Sequence, residues 1–204
     1  MTKIKICGIT NLEDAQNAAD LGADFLGFNF YSKSPRFIDY NKVNEIVRKL
    51  NGKVRIVGVF VNENIDNVKK ISEYCNLDLI QLSGDENNDE IIQLREKTNK
   101  KIIKTFRIKN KINANSINSF DSNYILMDTF KNGLYGGTGE SFDLNMINGV
   151  DNKKLFLAGG LNNKNVNKAI EKLKPFAVDV CSSIESKPGK KDYDKMKLFV
   201  EAVR

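Results

Sequence analysis

Eight short apolar runs recur along the chain. They are Lys3–Cys7, Asp24–Phe30, Val54–Val61, Leu77–Leu82, Lys101–Phe106, Tyr124–Asp128, Lys154–Ala158 and Ala177–Cys181. Each is rich in Ile, Val, Leu and Phe, and so continuous that it suits a strand covered on both faces, as in a parallel sheet. The intervals between runs leave room for a loop and a crossover helix. Amphipathic stretches fill most of them: Asn11–Leu21, Asn41–Leu50, Asn64–Cys75, Glu86–Thr98, Asn162–Leu173 and Asp192–Val203. Asn11 is a plausible N-cap and Gly22 a good residue just past the end of its helix. Ile65, Val68 and Ile71 share one helical face. The segment Lys109–Ser122 is Asn-rich and offers only Ile112 and Ile117 to a core, so a short or irregular connection is expected after the fifth strand.

Eight strand–helix units in 204 residues predict an α/β fold: a single-domain (β/α)8 TIM barrel with a closed, parallel, eight-stranded sheet spanning residues 1–204. An open doubly wound sheet is the alternative; closure is preferred because it removes the edges.

Composition narrows the chemistry. Hydrophobic residues make up 41% and charged residues 28%, which excludes a disordered chain. No apolar run reaches the ~18 residues a membrane helix needs, and the N-terminus has no signal-peptide core, so the cytoplasm is expected and no membrane partner. Cys7, Cys75 and Cys181 are odd in number and widely spaced, unlike a disulfide framework. There is no histidine. Acid–base chemistry must therefore use Asp, Glu, Cys, Lys or Tyr. The net charge of +6 is scattered over pairs and short mixtures, which reads as a Lys-rich surface and not as a nucleic-acid footprint.

In such barrels active sites sit at the C-terminal ends of the strands. Three of those ends are rich in glycine or small residues: Tyr135-Gly136-Gly137-Thr138-Gly139 after the sixth run, Gly159-Gly160-Leu161-Asn162 after the seventh, and Cys181-Ser182-Ser183 after the eighth. Backbone N–H groups approach an anion closely there, so three such loops in adjacent units point to a phosphate. Cys7 is either a base, as a thiolate, or a small buried residue. Asp128 closes an otherwise apolar run, where a carboxyl is costly unless it lies at the mouth or is paired; a partly desolvated acid is the favoured reading. Asp179 interrupts the eighth run and is as readily a hydrogen-bonded support as a catalyst. Arg36 follows Pro35; taken alone it reads as a surface residue, although its fork suits a carboxylate.

Lys5-Ile6-Cys7-Gly8-Ile9-Thr10, Gly27-Phe28-Asn29-Phe30 with Ser32 to Arg36, Gly58 to Asn62, Gln81-Leu82, Gly136 to Gly139 with Phe142-Asp143, Leu157 to Leu161, and Pro188 to Asp192 occur in an ordered set. This set resembles phosphoribosylanthranilate isomerase from the first strand to the last helix. The resemblance implies a (β/α)8 barrel that carries out an Amadori rearrangement, an aldose–ketose isomerisation in tryptophan biosynthesis, with no metal and no organic cofactor. It implies Cys7 as general base and Asp128 as general acid, with Arg36 on the anthranilate carboxylate. Gly137, Gly139, Gly159, Gly160, Ser182 and Ser183 would hold the phosphate. The partner implied is a small phosphorylated substrate, with the chain as monomer or homodimer. The family commonly has His where Ser83 stands, Ser-Ser-Gly where Cys181-Ser182-Ser183 stands, and Trp where Leu144 stands. Two alternatives are a related phosphosugar isomerase or epimerase barrel and a non-catalytic phosphate-binding barrel.

Overall fold

The strand Lys3–Cys7 (β1) begins a ring that closes on itself in chain order in the computed structural model, which describes residues 1–108, 112–128 and 147–204. The ring continues through β2 (Phe25–Asn29), β3 (Arg55–Phe60), β4 (Leu79–Leu82), β5 (Lys101–Arg107), β6 (Tyr124–Asp128), β7 (Leu155–Ala158) and β8 (Ala177–Val180). All neighbours are parallel, and β8 pairs back onto β1. The closed barrel, not the open sheet, is therefore the architecture.

Seven helices lie among the described residues: α1 (Leu12–Asp20), α2 (Tyr40–Leu50), α3 (Ile65–Tyr74), α4 (Asn88–Lys97), α5 (Ala114–Asn118), α6 (Val166–Leu173) and α7 (Tyr193–Val203). The Asn-rich composition finds a use at their starts. Asn11, Asp39, Asn64, Asn87, Asn113 and Asp192 each accept a backbone N–H of the first turn. Each such cap is worth about 1 kcal/mol. The five-residue α5 matches the weak segment that contains it.

Two helices start later than their patterns suggest. α4 begins after Asn87, whose capping box with Glu90 sets the boundary. That releases Glu86, which turns inward to meet Lys104 at 2.6 Å and accepts N–H bonds from Asn62 and Gly84. α6 begins after Asn165, because Asn162 to Asn165 form a turn in which the Asn162 N–H donates to Asn165 Oδ1.

Alternation along each strand divides the core. Ile4, Ile6, Leu26, Phe28, Ile125, Met127, Leu155, Leu157, Val178 and Val180 face the helices. Phe25, Val57, Leu79, Ile103, Leu126, Phe156 and Ala177 pack inside the ring. The same inward parity brings Lys5 and Cys7 of β1, Asp128 of β6 and Asp179 of β8 toward the barrel axis, above that apolar layer. The runs are thus apolar on the helix side and grade from apolar to polar on the inside.

A hairpin that the apolar pattern does not predict follows β8. A 3-10 turn, Ser182–Ile184, leads into β9 (Glu185–Lys187), which pairs antiparallel with β10 (Lys190–Lys191). Pro188 and Gly189 make the turn, with Gly189 at φ +82°, a backbone region glycine adopts without strain. Among the described residues no helix is long and apolar enough to cross a membrane.

Candidate active site

Strand polarity places the predicted residues at one end of the ring. A cavity of about 250 Å³ opens at the C-terminal ends of the strands, lined by Cys7, Asp128, Gly159, Gly160, Ser182 and Ser183 among others. A larger groove of about 500 Å³, bordered by Arg48, Tyr74 and Asp78, lies at the opposite end of β3 and β4, remote from these groups. Gly137 and Gly139, and Leu144 with them, lie outside the described residues.

Cys7 ends β1 with its side chain turned inward and half-buried. Gly27 of β2 is its register partner, and a Cβ there would lie 2.7 Å from Cys7 Sγ and 3.1 Å from Lys5 Nζ. A glycine is therefore needed opposite the thiol. The Cys7 thiol is held well below its ordinary pKa. The largest cause is a hydrogen bond from Cys181, acting against burial, and the Lys5 and Lys191 ammonium groups add to it. This is an electropositive setting of the kind that makes a reactive thiolate.

Beneath Cys7, Lys5 is fully buried and donates to both Asp179 oxygens, at 3.0 and 3.1 Å. Their backbones are register partners across β1 and β8. Burial works against the Lys5 charge, yet Asp179 and then Cys7 outweigh it, and the ammonium is held more firmly than usual. Burial raises Asp179 to about 7, with Cys7 and Asp128 adding repulsion and Lys5 opposing. One cation thus serves two potential anions, the thiolate above and the carboxylate beside it. Asp179 thus has the hydrogen-bonded surroundings of a support residue, and Lys5 joins the site although the sequence pattern did not single it out. The signal lay in period-two parity, since Lys5 precedes Cys7 by two in an otherwise apolar strand.

Asp128 ends β6 opposite Ala158 of β7 and Arg107 of β5, and faces the same cavity. Gly159 and Gly160 follow at φ +92° and +64°. The Asn162 and Asn165 side-chain amides donate to the Gly160 carbonyl, which fixes the turn leading into α6. Ser183 does not occupy a positive-φ position, so the loop has no need of the family's glycine there. Its hydroxyl donates to the Leu161 carbonyl, tying the eighth loop to the seventh. The Ser182 and Ser183 backbone N–H groups begin the 3-10 turn, where Cys181 makes no side-chain cap.

Arg36 sits beside the cavity and does not line it. The Ser34 hydroxyl oxygen accepts from the Arg36 N–H at 3.1 Å and from the Asn29 amide, which pins the loop. The guanidinium packs over Gly8, whose Cβ would lie 2.6 Å from Arg36 Cδ. Its Nε and Nη2 donate to Glu185 at 2.8 and 2.6 Å, leaving Nη1 on the other edge of the fork. Lys191 Nζ reaches the same carboxylate at 3.0 Å. Burial raises Glu185, but Arg36 and Lys191 outweigh it and hold the carboxyl below its usual range. Glu185 and Lys191 come from the unexpected hairpin. Its sequence signal was Lys187-Pro188-Gly189-Lys190, a turn motif flanked by too few residues to read as strands.

On the fourth and fifth strands, Gln81 Nε2 donates to Ser83 Oγ at 3.0 Å and to Thr105 Oγ1 at 3.3 Å, and the two hydroxyls meet at 3.0 Å. Ser83 thus completes a polar wall of the cavity where the family commonly has His. Among the described residues no group of three or more His, Cys, Asp or Glu is placed to hold a metal ion.

Comparison with known proteins gives a consistent result. The profile of N-(5'-phosphoribosyl)anthranilate (PRA) isomerase matches residues 4–202. The N-(5'-phosphoribosyl)anthranilate isomerase of Chloroherpeton thalassium is 42% identical over 216 residues, covering 100% of this chain and 96% of that protein. The crystal structure of phosphoribosyl anthranilate isomerase from Thermotoga maritima superposes with a TM-score of 0.88 at 39% identity, covering 99% of this chain and 98% of that one. A phosphoribosyl anthranilate isomerase in complex with reduced 1-(o-carboxyphenylamino)-1-deoxyribulose 5-phosphate gives 0.85 at 36% identity, with the same coverage. These matches run the length of the chain and agree with the ordered motifs and the closed barrel, so the chain belongs to the N-(5'-phosphoribosyl)anthranilate isomerase family.

Proposed function

We propose that this protein converts N-(5'-phosphoribosyl)anthranilate to 1-(2-carboxyphenylamino)-1-deoxyribulose 5-phosphate by general acid–base catalysis, a step of tryptophan biosynthesis. The observation that carries the reading is that Cys7 of β1 and Asp128 of β6, on different walls of the barrel, line one cavity with the glycine and serine loops.

The chemistry suits those groups. Asp128, protonated, gives its proton to the furanose ring oxygen; the ring opens to a Schiff base. Cys7, as thiolate, takes the proton from the adjacent carbon. The resulting enolamine tautomerises to the ketone. The iminium is itself the electron sink, so two positioned side chains suffice. Each contributes ~10²- to 10⁴-fold. The Cys181 donor and the Lys5 ammonium keep Cys7 anionic for that proton transfer.

The anionic ends of the substrate fix its position. Gly159, Gly160, Ser182 and Ser183 present backbone N–H groups to the phosphate, with Gly137 and Gly139 assigned to the same end. Arg36 takes the anthranilate carboxylate through its Nη1 edge, while Glu185 holds the other edge and orients the fork. Pinning both ends places the reacting carbon between acid and base. The protein acts in the cytoplasm as one domain, a monomer or a homodimer.

The test is a fluorescence assay. Phosphoribosylanthranilate is supplied and the decay of its anthranilate emission is followed. The native enzyme accelerates the decay. Indistinguishable rates with and without enzyme would reject the assignment.

A further inference from the structure

The wall that carries Cys7 holds a second thiol. The register pairs Ile6 with Val180, so Cys7 and Cys181 stand side by side at the ends of β1 and β8. Hydrogen-bonded strands lie about 4.8 Å apart. A disulfide accepts Cα separations of roughly 4.4 to 6.8 Å, a range that includes this strand spacing. Inward parity gives both side chains the same direction. A Cβ at Gly8, the residue after Cys7, would lie 3.0 Å from Cys181 Sγ, and the Cys181 thiol lies 4.0 Å from Glu185 Oε1. Both cysteines are half-buried and border the same cavity, within reach of a small reagent. The third, Cys75, is buried in the helix layer, and burial raises its thiol to about 11.

We propose that Cys7 and Cys181 form an oxidisable dithiol at the barrel mouth, which a peroxide closes into a disulfide between β1 and β8.

The steps balance. The Cys7 thiolate attacks one peroxide oxygen; the O–O bond breaks, hydroxide leaves, and Cys7 becomes a sulfenic acid. Cys181 then attacks the Cys7 sulfur; the S–O bond breaks and water departs with the Cys181 proton. The two thiols supply two electrons, and the peroxide becomes two waters once the hydroxide takes up the proton that Cys7 had lost on ionising. The surroundings fit this order. Before oxidation, Cys7 takes the negative charge, and its proximity and repulsion, together with burial, keep Cys181 protonated. Once Cys7 is a neutral sulfenic acid that repulsion is gone, and Lys191, 3.8 Å from Cys181 Sγ, favours the second thiolate. The two cysteines therefore play different parts. Cys7 is oxidised first, and Cys181 resolves it before further oxidation.

The consequence for turnover rests on Cys7 being the catalytic base; the thiol chemistry does not. The test is peptide mapping of the full chain, alkylated without reduction, after hydrogen peroxide treatment. The expected result is a Cys7 peptide linked to the Cys181 peptide, with Cys75 still alkylated and the link removed by dithiothreitol. In Cys181→Ser, the same treatment carries Cys7 to sulfinic acid, which dithiothreitol does not reverse. Turnover of the native enzyme falls at least ~100-fold on oxidation and returns on reduction. Wild-type chain in which Cys7 is oxidised while Cys181 stays open to alkylation would overturn the proposal, as would two unreacted thiols. The mapping needs no activity. An enzyme inactive before treatment would count against the assigned reaction, while the linked peptides would still decide the dithiol.

Discussion

Lys5 and Asp179 form an ion pair across the β1–β8 seam, with Nζ 3.0 and 3.1 Å from the two carboxylate oxygens and almost no solvent contact. The pair is costly in itself, because both charges are stripped of water. Its position explains it: the same ammonium acts on the Cys7 sulfur above. Replacing Lys5 by Met leaves Asp179 alone in the barrel and should cost about 3–5 kcal/mol of stability. The double variant Lys5→Met with Asp179→Asn should recover much of that. In both, the rising limb of kcat/KM against pH should move to higher pH, since a base loses a nearby cation. Urea unfolding and pH–rate profiles check the two halves, and an unmoved limb would detach Lys5 from the thiol.

Asp179 also makes stability depend on pH. Its folded pKa is raised to about 7 from an ordinary 3.8. The folded state therefore holds this proton more tightly than the unfolded chain does. The stabilisation is fully present below about pH 3.8 and is lost as pH rises through about 7. Asp179→Asn should flatten that part of the profile, so the variant gains on the native protein between pH 4 and 7. Thermal melts across that range measure it; parallel curves would be inconsistent with a raised Asp179.

Cys7→Ser and Asp128→Asn should each lower kcat by ~10²- to 10⁴-fold while retaining affinity for a reduced product analogue. Single-turnover fluorescence and calorimetric titration separate the two quantities. Normal turnover in both variants would remove the assigned roles.

Gly27→Ala probes the space around the thiol. The added methyl would sit 2.7 Å from Cys7 Sγ and 3.1 Å from the Cys7 Cα, so the thiol must move. Overpacking of this kind costs roughly 1–3 kcal/mol. Activity should fall further than stability does, because the base itself is displaced. Comparing the melting temperature with kcat at a temperature well below the melt tests this.

Arg36→Lys removes the fork but keeps the charge. Loss of a charge-assisted bond, about 1.5–3 kcal/mol, predicts a KM rise of roughly 10- to 100-fold with a smaller change in kcat. The same variant loses its two-bond grip on Glu185. Steady-state kinetics decide; an unchanged KM would place the substrate carboxylate elsewhere.

Period and punctuation were enough to read the architecture. A strand buried on both faces must be apolar throughout most of its length, and a capped amphipathic helix must carry Asx residues and a stripe. Both patterns are local, and both stand in the linear sequence from Lys3 to Val203. Strand-end position and the resemblance together marked Cys7, Asp128, Gly159, Gly160, Ser182 and Ser183, because strand ends in a barrel converge on one mouth. What the order of residues alone left open was which side chains meet across strands. Lys5 finds Asp179, and Arg36 finds Glu185, across more than a hundred residues of chain. Glu86 looked helical and instead turns inward to Lys104. Such pairings depend on register, parity and closure of the ring, which are properties of the folded sheet. The state of the Cys7 thiol belongs to the same class, because a pKa is set by burial and by neighbours in space, and only tertiary structure brings those neighbours together.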